Sequence, residues 1–382
     1  MGNNLKTRKD YGIAIIPGDG VGPEVSKEAV KVVTEATKGS NISFDFEWFD
    51  WGCDFYLSHG IMMPTDALDI LSGFDAIFLG CIGDADKVPD HISLTLLLQI
   101  RKGFDQYVNL RPIYLYDGVD TPLKSVRQGS IDLIVVRENT EGEYSQVGGR
   151  FKKGSPDEIA IQTSIFTRKG TERVIRYAFN LARKRQKLKG QSDHVGMVTN
   201  CSKSNALNYS MVFWDEVFDE VSKDYPDIAK DFALVDALTM WFVKKLDYFD
   251  VVVASNLFGD IITDLGAMLQ GGMGFAAGGN INPEKTFPSM FEPIHGSAPK
   301  YAGKGVVNPV ASVEAMRMML EHLGLETEAK KVSNAVKSVL ADGKVKTRDM
   351  GGSATTKQMG DEIASRVGSS SPSSLTLSPK SI

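Results

Sequence analysis

Three arginines carry the most suggestive chemistry in this chain. Arg101 sits in LLLQIRKGFDQYVNLRP, Arg111 follows ten residues later before Pro112, and Arg137 opens RENTEGEY directly after the apolar run IDLIVV. A guanidinium is planar, permanently charged and suited to bidentate capture of a carboxylate. Three together suit a di- or tricarboxylate, although surface ion pairing accounts equally well for any one alone. Asp260 and Asp264, in NLFGDIITDLGA, lie four residues apart and share a face if that segment is helical. Two like charges there call for a cation or an arginine, and oxygen-only ligands suit magnesium or manganese; a solvated helix face is the plainer alternative. Asp236, in LVDALTMW, is a third candidate because it stands between apolar residues and needs a partner. Lys203, in NCSKSN, becomes a base where arginines surround it and carboxylates do not, and Tyr144 is the matching acid. His295-Gly296-Ser297-Ala298-Pro299 precedes a Gly-rich loop whose backbone amides can hold a pyrophosphate.

These residues need a scaffold, and the pattern predicts an α/β one. Short β-rich runs alternate with amphipathic helical stretches. Strands are expected at 11–16, 42–48, 76–79, 131–136, 196–198 and 251–254, and helices at 23–36, 170–187, 211–225 and 311–323. Segments 84–93 and 270–286 read as long loops of the kind that carry function. IPGDGVGPE resembles a Rossmann fingerprint but has Pro23 where the third glycine belongs. It reads instead as a strand-to-helix turn, with glycines for positive φ and Pro23 in the first helical turn. There is no internal repeat. Residues 368–382 hold seven Ser and two Pro and read as a disordered tail.

Composition narrows the class. A chain of 382 residues predicts two to three domains. Its 42% hydrophobic and 24% charged residues are ordinary for a globular protein. With Lys plus Arg at 43 and Asp plus Glu at 48, the net charge of −5 makes nucleic acid or an anionic membrane a poor partner. Three cysteines without C-x-x-C spacing and five unpaired histidines exclude a disulfide framework and a zinc signature. No apolar run approaches membrane-spanning length, and MGNNLKTRKD has no signal-peptide core, so a cytoplasmic location is expected.

Taken in order, IPGDGVGPE, the three arginines, RENTEGEYS, CSKSN, NLFGDIITD, EPIHGSAP and the Asn-Pro before a helix resemble the β-decarboxylating dehydrogenases. That family holds isocitrate, isopropylmalate, homoisocitrate and tartrate/D-malate dehydrogenases, and the resemblance runs from Tyr11 to Val367. PDHISL, FDQYVNLRP and RENTEGEYSQVGGR are most similar to the tartrate/D-malate branch. The resemblance implies a two-domain isocitrate/isopropylmalate dehydrogenase-like fold with a mixed open sheet. One cofactor domain would comprise 1–104 and 255–367, and a central substrate and dimerisation domain 105–254. It further implies an obligate homodimer with shared active sites. Arg101, Arg111 and Arg137 would bind the substrate carboxylates. Tyr144 would donate a proton to carbon, and the neighbouring chain's Lys203 would act as base. Asp260, Asp264 and the neighbouring chain's Asp236 would hold Mn²⁺ or Mg²⁺. A nicotinamide cofactor would lie along His295, Gly296, Ser297, Ala298, Lys300, Tyr301 and Asn308. The branch implies NAD, whereas Lys300-Tyr301 replaces the Asp of NAD-using members and resembles NADP-using isocitrate dehydrogenases. Thr95 and Leu97 replace the Ser and Asn expected for isocitrate, and Leu94 replaces the acid expected for isopropylmalate. D-malate or tartrate is therefore the favoured substrate, with isopropylmalate next and isocitrate or homoisocitrate after it. A non-catalytic regulatory subunit would have lost some of these residues, and none is lost.

Overall fold

The computed structural model describes residues 9–124, 126, 129–189 and 196–369. Twelve strands lie among them: β1 (Lys9–Gly18), β2 (Ile42–Trp48), β3 (Ala76–Cys81), β4 (Val108–Tyr114), β5 (Asp132–Glu138), β6 (Gly142–Phe151), β7 (Ile159–Ile165), β8 (Met197–Ser202), β9 (Ala229–Leu234), β10 (Val251–Ala254), β11 (Ala277–Ile281) and β12 (Ser289–Pro293). Ten form one sheet in the order β2-β1-β3-β12-β11-β4-β5-β10-β8-β9, and β6 pairs with β7 apart from it. The outer strands are parallel and the centre is antiparallel, through the β12–β11, β11–β4 and β4–β5 pairs. The fold is the expected mixed open α/β sheet. Strands from the two chain ends fill one half, and β4, β5, β10, β8 and β9 fill the other.

Strands buried on both faces read as unbroken apolar runs, and β1 shows why. Ile13 and Ile15 join the main core on one face, while Ala14 and Ile16 join a second core with Ile77 and Leu79 on the other. The glycines after β1 then turn the chain. Gly20 has φ +59°, and a Cβ there would stand 2.0 Å from the carbonyl oxygen of Ser297. No other residue type fits that turn. The helix Gly22–Thr37 begins at once, with Pro23 in its first turn as expected.

Three expectations change. Residues 270–286 are not one loop: they hold a 3₁₀ turn at Met273–Phe275 and the buried strand β11. Its AGGNI sequence opens on small residues because neighbours fill the space; a Cβ on Gly278 would meet Ile294 at 2.5 Å. Residues 84–93 are irregular only in part, with one bridge between Asp84 and Val88 and a helical turn at Asp90–Ser93. The final helix, Thr356–Ser369, whose inner face buries Ile363 and Val367, runs two residues into the segment read as tail. The rest of that segment, 370–382, lies outside the described residues.

Candidate active site

Arg137 stands at the end of β5, 2% exposed. Its Nε and Nη2 donate to Asn256 Oδ1 at 3.0 and 2.7 Å, and its Nη1 donates to Asp260 Oδ1. Asn256 and Asp260 belong to the helix Asn256–Leu269, which follows β10, the parallel neighbour of β5. This explains the spacing of NLFGD: a Cβ on Gly259 would fall 2.6 Å from Arg137 Cγ. Arg111, on β4, donates from Nε to Asn109 Oδ1 at 2.8 Å and from Nη1 to Thr263 Oγ1 at 2.7 Å. The same Nη1 lies 3.5 Å from Asp260 and 3.8 Å from Asp264. Arg101 arrives from the helix Thr95–Gly103 and donates from Nη2 to Glu292 Oε1 at 2.9 Å. Tyr144 donates its hydroxyl to Asp260 Oδ2 at 3.0 Å, and the Arg137 guanidinium carbon lies 5.4 Å from its ring centroid.

All three arginines, Tyr144, Asp260, Glu292 and His295 line one cavity of about 240 Å³, whose other wall includes Leu94, Leu97 and Leu98. The buried guanidiniums keep this cavity electropositive. Burial alone would raise the Asp260 carboxyl, but Arg137 and Arg111 outweigh it and hold the group below its ordinary value. Asp264 moves the other way: burial raises it, and Arg111 offsets this only in part. Burial, helped by Asp260, raises the Tyr144 hydroxyl, so it keeps its proton at neutral pH. Burial lowers the His295 imidazole.

Lys203 and Asp236 do not join this group. They pair with each other at 2.6 Å, and neither lines the cavity. Lys203 thus faces a carboxylate within its own chain, not the arginines that would make it a base. Asp236 opens the helix Val235–Lys245, and its hydrogen bond from Lys203 lowers its carboxyl. Among the described residues, no three His, Cys, Asp or Glu groups gather to hold a metal ion. Asp260 and Asp264 supply two oxygen donors of the right kind, so a cation here needs a further donor from outside this set.

The His295–Tyr301 segment sits against the β1 turn. Ser297 accepts the Val21 amide at 2.8 Å through its carbonyl and donates its hydroxyl to the carbonyl of Gly83. Asp19 accepts the amides of Cys53 and Gly83 at 2.8 Å each, so three loops share one anchor. Ala298 holds φ +42°. Lys300 and Lys304 lie 4.9 and 5.9 Å from the Tyr301 ring centroid. Asn308 accepts the Val310 amide at 3.0 Å, just before the helix Val310–His322, and donates to Asp349 at 3.0 Å. His295 and Gly296 line the arginine cavity, so this loop and the arginines border one space.

Glu292, Asn256, Asn109, Asn280 and Thr263 were not predicted, yet they hold the arginines in place. Glu292 left a signal, an acid inside the apolar run SMFEP just before HGSAP. The asparagines left none, because nothing in sequence separates a buried amide from one in a turn.

Comparison with known proteins identifies the family. Residues 12–363 match the family model described as isocitrate/isopropylmalate dehydrogenase. A probable tartrate dehydrogenase/decarboxylase from Bacillus subtilis (strain 168) is 48% identical over 363 residues, covering 94% of this chain and 99% of the relative. D-malate dehydrogenase [decarboxylating] from Escherichia coli (strain K12) is 48% identical over 362 residues, covering 93% and 98%. The crystal structure of isocitrate dehydrogenase from Methylococcus capsulatus superposes with a TM-score of 0.83 at 35% identity, covering 94% of this chain and 99% of that one. With its buried arginines, its paired aspartates and its mixed sheet, this chain belongs to the isocitrate/isopropylmalate dehydrogenase family of oxidoreductases.

Proposed function

We propose that this protein oxidises and decarboxylates a small 2-hydroxy dicarboxylate, D-malate or tartrate, with a divalent cation and a nicotinamide cofactor. The convergence of Arg101, Arg111 and Arg137 with Tyr144 and Asp260 on one cavity carries the reading. The names of the relatives support the substrate class. A cation at Asp260, Asp264 and Asp236 of a second copy would supply Lewis-acid polarisation of the substrate oxygen at C2, and the nicotinamide ring would accept hydride. The arginines bind and orient the carboxylates. Lys203 of the second copy takes the hydroxyl proton. Tyr144, whose buried hydroxyl keeps its proton, delivers it to the carbon that loses carbon dioxide.

The second copy has a surface to dock on. Phe232, Met240, Trp241, Val243, Ile261 and Met268 are all about half exposed or more, and the last five lie on the helices Val235–Lys245 and Asn256–Leu269. The β6–β7 hairpin adds exposed Val147, Phe151, Ile159 and Ile161. Apolar exposure on this scale marks an interface. Lys203 and Asp236 belong to this region, which supports a homodimer with shared sites. The strand order supports domains at 1–104 with 255–367 and at 105–254. The cofactor is NAD, with Lys300-Tyr301 able to admit NADP. No helix among the described residues is long and apolar enough to cross a membrane, and a cytoplasmic location fits the proposed cofactor and substrate.

One observation favours 3-isopropylmalate as a second reading. Leu94, Leu97 and Leu98 form an apolar wall beside the arginines that would accept a branched alkyl group. Initial rates with D-malate, tartrate, 3-isopropylmalate and isocitrate, each with NAD and NADP and with manganese or chelator, decide between them. Turnover of D-malate or tartrate only with manganese present is expected. Full activity in chelator, or activity with none of the four, overturns the proposal.

A further inference from the structure

Arg101 and Arg111 approach the cavity from opposite halves of the sheet, yet a continuous line of buried hydrogen bonds joins them. Arg101 Nη2 and Asn280 Nδ2 both donate to Glu292 Oε1, at 2.9 and 2.8 Å. Asn280 Oδ1 accepts from Asn109 Nδ2 at 2.7 Å and from Asn139 Nδ2 at 3.0 Å. Asn109 Oδ1 in turn accepts Arg111 Nε at 2.8 Å. Asn109 and Asn280 are 0% exposed and stand opposite each other in the β4–β11 pair, which is the seam between the two halves. Buried amides bonded at both ends have one orientation, because reversing either leaves donors facing donors.

We propose that Asn280 is a positioning residue that sets the separation between Arg101 and the Arg111–Arg137 pair, and with it the carboxylate-to-carboxylate length the cavity accepts. The proposal rests on the reading of this cavity as a dicarboxylate site. Asn280 touches neither substrate nor cofactor in this role. It acts through Glu292 on one side and Asn109 on the other. Aspartate at this position would keep the shape and the acceptor for Asn109 and Asn139. It would, however, turn the donor that faces Glu292 into a second anion. The charged groups facing position 280 are Glu292 directly, with Arg101 beyond it and Arg111 beyond Asn109. Next to the Glu292 charge the new carboxyl has a raised pKa. Once protonated, it can donate to Glu292 as the amide did.

Binding of oxalate, malonate, succinate and glutarate, measured by calorimetry on the whole chain, tests this without turnover. Wild type is expected to prefer one length over its neighbours by roughly tenfold or more, the range of one charge-assisted hydrogen bond. Asn280→Leu should compress that preference to about threefold or less. Asn280→Asp should compress it near pH 8 and recover it as the pH falls towards 5, while wild type measured alongside shows no such recovery. Unchanged ratios in Asn280→Leu, with only a lower melting temperature, would overturn the proposal. A selectivity in Asn280→Asp that does not respond to pH would overturn it too, and decides the matter if Asn280→Leu fails to fold. Wild type that binds these dicarboxylates but shows no dehydrogenase activity refutes the catalytic reading and leaves this inference standing. Wild type that binds none of them refutes both.

Discussion

Replacing Asp260 by Asn should strengthen dicarboxylate binding while abolishing the effect of the metal. In the free protein the Asp260 carboxylate lies against the guanidiniums that the proposed substrate carboxylate would use. It accepts from Arg137 Nη1 and lies 3.5 Å from Arg111 Nη1. A substrate carboxylate among the same guanidiniums would sit roughly 5 Å away, where two unit charges repel by about 3 kcal/mol at an effective dielectric of about 20. The Asp260 side chain is 35% exposed, so solvent screening reduces this to about 1–2 kcal/mol. Asp260→Asn should therefore bind succinate or D-malate roughly 5- to 30-fold tighter in chelator. The free variant should be less stable, because two buried guanidiniums lose an anion. Added dicarboxylate should then raise its melting temperature more than it raises that of wild type. With manganese the order reverses: wild type gains affinity and the variant does not. Calorimetry with and without chelator reads both arms. Equal or weaker dicarboxylate binding by Asp260→Asn in chelator would show that the carboxylate does not compete with substrate for these guanidiniums.

Three further outcomes follow from the same structure. Lys203→Met and Asp260→Asn chains, each inactive, should regain partial activity when mixed and allowed to exchange; no recovery would show that sites are not shared between chains. Lys300→Asp should shift the NAD-to-NADP ratio of kcat/KM toward NAD by a few-fold to about 100-fold, since an ammonium pairs with a 2′-phosphate and a carboxylate repels it; an unchanged ratio places Lys300 in solvent. Burial, reinforced by Lys285, lowers His322 to about 4. An unfolded histidine titrates at about 6.5, so between those values the unfolded chain binds more protons, and stability should drop as the pH is lowered, by up to about 1.4 kcal/mol per unit. Denaturant unfolding from pH 7 to 4 should show that slope, and His322→Gln should flatten it.

Much of the site was readable because its chemistry is local in sequence. Arg137 after IDLIVV and Asp260 four residues before Asp264 each announced a strand end or a helix face, and the structure brings them together. What stayed hidden depends on contacts between distant segments. The strand β11 reads as a glycine loop because its glycines answer to Ile294 and Phe291, not to local preference. Pro112 and Arg111 disguise β4 as polar coil, although β4 lies at the centre of the sheet. Lys203 and Asp236 could each be singled out by type, but their pairing within the chain, across 33 residues, could not.

The strand order also governs when each half of the molecule can form during synthesis. The strands β4, β5, β8, β9 and β10 all lie between residues 108 and 254, so their half is complete once that stretch has emerged. The other half is not contiguous. β3, finished at Cys81, must wait for β12, which begins at Ser289. Gly20 has its counterpart at Ser297 and cannot settle before the chain reaches it. A ribosome adding 5–20 residues per second leaves that edge of β3 unpaired for roughly 10–40 s. Open apolar edges invite pairing with other chains. The same long-range closure that seats Gly20 against Ser297 therefore leaves the N-terminal strands exposed for the longest time during synthesis.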